Sequence, residues 1–177
     1  SRLNYNANEF GLINNLSQIN NGSTTSIYFN IVNKKAVSFL NRFNVRTVYL
    51  SNELNYEQLK SMLPIYNMNI GVQIYGRYDL MISKHCFVSK IKGASDKNCH
   101  KCLNNHYEII DEYNNHFPVI LNPNDLCSLR IVNNKVLNNL NMMSEKYISL
   151  GINHFMIIFT TETKEEITEV LKKVKFR

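Results

Sequence analysis

A chain of 177 residues is long enough for one domain with a substantial core, but short of the roughly 250 residues of a complete eight-fold (β/α) barrel. Its apolar fraction of 44% is ordinary and no apolar run approaches a membrane span, so no membrane partner is expected. A net charge of +6 and a pI near 9.1 permit nucleic-acid or anionic-substrate contact without requiring it. No basic segment followed by an apolar one opens the chain, which points to a cytoplasmic location with reduced thiols. Asparagine pairs recur (Asn14-Asn15, Asn20-Asn21, Asn104-Asn105, Asn133-Asn134, Asn138-Asn139). Apolar periodicity survives between them, so they read as compositional drift rather than a low-complexity tract.

In chain order, Phe10, Ile13, Leu16 and Ile19 mark one face of a short helix. Ser26–Ile31 reads as a strand. Asn33 caps a helix through Ala36, Val37, Phe39 and Leu40. Val45–Leu50 is a β-branched strand, residues 51–54 a turn, and Asn55 caps a helix carrying Leu59, Met62 and Leu63 up to Pro64. Asn69–Tyr75 is a third strand, with Gly76-Arg77 just past its end. Alternating strands and helices with short connections predict a parallel sheet with crossover helices. The texture then changes. His106–Asp111 and His116–Leu121 flank the polar turn 112–115 as an antiparallel hairpin, and Leu126–Ile131 follows. A helix through Leu137, Leu140, Met143 and Ile148 ends at Gly151. His154–Thr160 is a buried strand, and Thr163 with Glu166 forms a capping box for a last helix. The C-terminal run of residues 172–177, rich in lysine and arginine, completes that helix as its solvated face and its C-terminal charge complement.

All four cysteines fall in one stretch, Cys86-x12-Cys99-x2-Cys102-x24-Cys127. Two cysteines two residues apart place both thiolates on one ion, and two more on either side complete a four-thiolate site suited to zinc or an iron–sulfur cluster. Buried free cysteines, a pair of disulfides and a redox Cys-x-x-Cys compete with that reading. The last should open a helix after a strand, whereas Asp96–Cys102 is a polar loop. His85, His100 and His106 lie near enough in sequence to substitute as ligands. His116 and His154 belong at strand edges.

Tyr49–Leu54, Ile74–Met81, Cys86, Cys99–Cys102, Phe117–Val119 and Cys127–Asn133 together resemble the collagenase-like peptidase family U32. The resemblance runs from about Ser23 to Glu169, the C-terminal half of that family's catalytic region. Asn52 stands where the family has proline, Tyr78-Asp79 where it has Leu-Pro, Ser128-Leu129 where it has Arg-Thr, and Asn134 where it has serine. The resemblance implies an α/β fold of partial TIM-barrel-like (β/α) repeats with an inserted cysteine loop and β-hairpin. Residues 1–177 would then be a single domain, a fragment of a larger barrel protein whose N-terminal half is missing, with 86–127 a metal-binding insertion. It also implies that Cys86, Cys99, Cys102 and Cys127 hold a 4Fe–4S cluster in the full protein, with Zn2+ in the purified fragment.

Glu53, after the second strand, and Arg77, after the third, occupy positions where a barrel places active-site groups. They are the catalytic candidates, as a carboxylate acid/base and an anion-binding guanidinium; an ion pair or a helix-entry carboxylate is the structural alternative. Arg130 and Asn133 follow Cys127 closely and are candidate donors to cofactor sulfur. There is no Gly-x-Ser-x-Gly elbow and no His-Glu-x-x-His. A zinc ion closed by four thiolates is structural and uses up the cysteines as nucleophiles. The expected function is oxygen-independent hydroxylation of an RNA base or small aromatic, with this fragment inactive alone. The alternatives are the peptidase activity the family is named for, or a non-catalytic metal-stabilised RNA-binding module. Self-association through an exposed sheet edge is expected as well.

Overall fold

The computed structural model describes residues 6–7, 23–93, 102, 105–122, 128–142 and 146–174. In chain order the strands are β1 (Asn6–Ala7), β2 (Ser23–Thr25), β3 (Val45–Tyr49), β4 (Asn69–Gly76), β5 (Asp79–Ser83), β6 (Tyr107–Ile110), β7 (His116–Asn122), β8 (Ser128–Val132), β9 (Leu137–Asn138) and β10 (His154–Ile157). The α-helices are α1 (Lys34–Asn41), α2 (Tyr56–Met62), α3 (Phe87–Ile91) and α4 (Lys164–Lys173). Packing divides the chain into two units, Ser1–Tyr75 with Asn138–Ile158, and Gly76–Leu137 with Phe159–Arg177.

The first unit is built on a parallel sheet in the order β1-β2-β3-β4-β10. Side chains alternate across a strand, so Val48 and Leu50 share a face with Ile70, Val72 and Ile74. That face forms one buried cluster with Val37 and Leu40 of α1 and Leu59 and Met62 of α2. Both helices start where the sequence predicts. The Asn33 side chain accepts from Ala36 N at 2.9 Å. Asn55 and Gln58 form a reciprocal capping box, with bonds of 3.0 and 2.9 Å. The strand order never reverses, and the described strands form an open sheet with no closed barrel among the described residues.

Two expectations fail in this unit. The strand predicted over Ser26–Ile31 lies earlier, at β2, and residues 27–29 form a 3-10 turn. Ser26 caps that turn by accepting from Tyr28 N, and Asn30 closes it in the left-handed region at φ 49°. These local bonds outcompete the β-branched pattern. The helix predicted through Leu137–Ile148 is replaced by β9 and by 3-10 turns at 140–142 and 148–150. Asn139 N instead donates to Ile74 O at 2.8 Å, which takes that residue into the sheet. Gly151 does close the last turn, at φ 86°. The helix expected over residues 10–19 lies outside the described residues.

The second unit carries an antiparallel sheet in the order β5-β8-β7-β6. The predicted hairpin is β6–β7, with Tyr107 opposite Val119 and Ile110 opposite His116. Strand β5 has no signal in the sequence, because Leu80, Met81 and Ile82 are all exposed on an edge strand and no polar alternation marks them. The capping box of α4 forms as predicted, with Thr163 N donating to Glu166 at 2.8 Å and Glu166 N to Thr163 at 3.3 Å.

Asp111 organises the hairpin turn. Its carboxylate accepts from Tyr113 N, Asn115 N and the Asn115 amide at 2.8–2.9 Å. The Asn115 side-chain bond is the main reason its carboxyl titrates below the ordinary 3.8, helped by the Asn115 and Tyr113 N–H groups and the nearby His116. A depressed carboxyl stabilises the fold above the ordinary range, and that contribution is lost as pH falls through the lowered value. The protection of the Tyr113 and Asn115 amides, taken relative to their intrinsic exchange rates, should therefore fall in acid, and Asp111→Ala should show the same loss of protection at neutral pH. Amide exchange unchanged in Asp111→Ala would remove Asp111 from this role.

Candidate functional site

Cys86 occupies the N-cap position of α3 without making a capping hydrogen bond, and Ser89 Oγ donates to its carbonyl at 2.9 Å. Cys86 and Cys102 are half-buried free thiols. Cys99 and Cys127 lie outside the described residues. In the β5–β8 pairing Ser83, three residues before Cys86, stands opposite Leu129, two residues after Cys127. His85 and His106 are exposed, and His100 lies outside the described residues. Among the described residues no group of three or more His, Cys, Asp or Glu side chains is placed to hold a metal ion. His116 and His154 each open a strand, and His116 pairs with Glu108 at 2.7 Å across the hairpin, where both side chains are about half exposed.

Arg77 follows β4 and is held on three sides. Its Nη1 donates to the carbonyls of Asn133 (2.8 Å) and Asn134 (2.6 Å), and its Nε to Thr161 Oγ1 (3.3 Å). Asn133 N in turn donates to Tyr78 O at 2.8 Å. The guanidinium thus ties the segment after β8 to the segment after β10. Asn133 contributes its backbone to this clamp, while its side chain accepts from Lys135 N. Arg130, on β8, pairs with Asp79 on β5 at 3.3 Å. Glu53 belongs to the other unit. Its N–H donates to Ser51 Oγ, and its side chain is exposed without a partner among the described residues.

One carboxylate was not singled out by the sequence: Glu162, next in the chain to the Thr161 that Arg77 holds. Glu162 Oε2 accepts from Thr160 N at 2.6 Å and from Thr161 N at 3.0 Å. Its Oε1 and the Thr160 hydroxyl are buried with no hydrogen-bond partner among the described residues. Buried polar atoms without partners are uncommon, and they mark this loop as more than a connection. The signal was present as Thr160-Thr161-Glu162 shortly after the half-buried strand β10, but the following capping box absorbed the reading. Replacing Arg77 by lysine keeps the charge and loses the fork that spans two carbonyls and a hydroxyl. Arg77→Lys should cost about 2 kcal/mol in urea unfolding, and a loss below about 0.5 kcal/mol, the scatter of ordinary surface changes, would mean that the clamp is dispensable.

The chain is thus an α/β protein with a non-reversing parallel sheet, an antiparallel sheet and four clustered cysteines. The sequence model of peptidase family U32 matches residues 7–146, and the chain belongs to that family. No curated protein and no solved structure matches it.

Proposed function

We propose that this chain is the cofactor-bearing part of a U32 protein that hydroxylates an RNA base or small aromatic without oxygen, with Cys86, Cys99, Cys102 and Cys127 holding a 4Fe–4S cluster. The observation that carries the reading is the family match, whose residues 7–146 include all four cysteines and strands β2–β4 of the parallel sheet. The donor set fits such a group. Cys86 and Cys102 are unpaired, half-buried thiols, and the Cys86 sulfur is not spent on capping. A cluster held by four thiolates supplies one-electron chemistry. Within the second unit, Arg77 and Glu162 order the segments after β8 and β10 by hydrogen bonds to backbone and hydroxyl groups.

The sequential order β1-β2-β3-β4-β10 supports a barrel sector, since a doubly wound sheet reverses its order. Further strands would add at the β1 and β10 edges, from more chain or from a second copy. Glu53 retains an exposed carboxylate beyond β3 for acid–base work.

The test is iron, sulfide and zinc analysis with a visible spectrum, on protein purified without oxygen, beside Cys99→Ala/Cys102→Ala. Iron with sulfide and visible absorption, both lost in the double variant, is the expected result. One zinc and no colour would make the site structural and remove the redox chemistry. Peptide hydrolysis untouched by Cys127→Ala would instead favour the peptidase that the family is named for.

A further inference from the structure

A cavity of about 410 Å3 opens in the first unit at the amino ends of β3 and β4, opposite to the end where Arg77 follows β4. Its polar lining comes from Asn41 at the end of α1, Asn44 and Arg46 around the start of β3, and Asn67 and Asn69 around the start of β4. This volume lies in the range of small-molecule sites. Asn44 and Asn67 adopt left-handed backbone conformations, at φ 54° and 73°, which asparagine tolerates better than most residues. They turn the chain into the two strands on either side of the cavity.

The donors are not equivalent. Asn69 is committed to the sheet, donating to Thr47 Oγ1 and accepting from Asn153 Nδ2. The Asn41 and Asn67 amides have no hydrogen-bond partner among the described residues, and Arg46 makes no ion pair there. Arg42 directly follows the Asn41 of the lining. From Phe10 to Asn52 the sequence has no Asp or Glu, while Lys34, Lys35, Arg42 and Arg46 all fall in it. In a chain this rich in asparagine, amides alone would say little. An arginine beside two amides, none of them with a partner among the described residues, is a donor set that lacks an acceptor there.

We propose that this cavity binds a phosphate ester, with the Arg46 guanidinium taking two phosphate oxygens and the Asn41 and Asn67 amides the remaining acceptors. A guanidinium fork matches a phosphate edge, and neutral amides add donors without lowering the charge. The site is independent of the cysteines and of the reaction proposed above.

The experiment titrates the full chain with ribose 5-phosphate and with a short oligouridylate at fixed ionic strength, following the backbone amides of Asn44, Arg46 and Asn67 by NMR. Saturable shifts are expected, weakened about tenfold by Arg46→Gln, the loss expected for a charge-assisted pair. Asn67→Gly keeps the left-handed backbone and deletes the amide, and should weaken binding by a smaller factor. Lys60→Gln, on α2, should bind as the natural chain does. Equal affinity for both probes identifies a small phosphorylated ligand. Tighter binding of the oligomer, with its salt slope lowered by about one in Arg46→Gln, identifies a nucleic-acid backbone. No saturable shift with either probe, or unaltered binding by both cavity variants, overturns the proposal.

Discussion

Ile70→Ala should destabilise the first unit by roughly 2–5 kcal/mol, the range for removing a large aliphatic side chain from a closed core. Ile70 is 1% exposed on the central strand β4, and its register partner on β3 is Val48, which is fully buried. Its backbone is fixed from β10 as well, since its N–H donates to Asn153 Oδ1 and its carbonyl accepts from Asn153 N, both at 3.1 Å. A strand pinned on both sides cannot collapse readily into the space left by the missing atoms, which places the cost in the upper part of the range. Small domains have only about 5–15 kcal/mol in hand, so the variant should lose a large share of the stability seen in urea unfolding. Ile91→Ala is the control. Ile91 is 75% exposed at the end of α3, and its loss should stay within about 0.5 kcal/mol. Similar midpoints for the two variants would mean that the sheet face of β4 is not the core.

That face was legible in the sequence because its alternation is uninterrupted: Val48 and Leu50 on one strand, Ile70, Val72 and Ile74 on the next. The helix starts were legible for an equally local reason, since Asn33, Asn55 and Thr163 each bond an N–H within their own first turn. Elements whose existence depends on a distant partner were not. Strand β5 is strand only because β8 pairs with it, and Asn139 is drawn out of a helical pattern by a carbonyl on Ile74, 65 positions earlier in the numbering. The same division runs through the candidate site. The cysteine spacing and the position of Arg77 after a strand are written in the chain. What Arg77 grips, two carbonyls after β8 and a hydroxyl after β10, is set by tertiary structure. Glu162 was missed because its role depends on folding back onto the two residues before it, which no spacing rule records.

Gly71→Ala tests a packing constraint that the sequence does not announce. Alanine normally suits a strand interior better than glycine by about 0.5–1 kcal/mol, so the substitution would stabilise β4 if space allowed. It does not. The Tyr49 ring, on the neighbouring strand and in register with Gly71, lies across the backbone there. A Cβ at Gly71 would sit 2.5 Å from Tyr49 Cε1 and 2.6 Å from Cδ1. The ring must rotate away to make room, while the backbone on both sides is fixed: Tyr49 N donates to Thr25 Oγ1 at 3.1 Å, and Gly71 O accepts from Leu50 N at 2.9 Å. Overpacking of this kind costs about 1–3 kcal/mol, which outweighs the propensity gain and makes the variant destabilised. In a Tyr49→Ala background the obstacle is gone, and the same Gly71→Ala change should become neutral or stabilising. The Tyr49 phenol offers a second readout. Burial pushes its pKa above the ordinary value of 10.0, so a ring displaced by the new methyl should titrate closer to that value in NMR of labelled tyrosine. Equal destabilisation with and without the ring would show that Gly71 is held by its backbone alone. A reversal of sign would make the Tyr49–Gly71 contact the reason glycine stands at this point of the sheet.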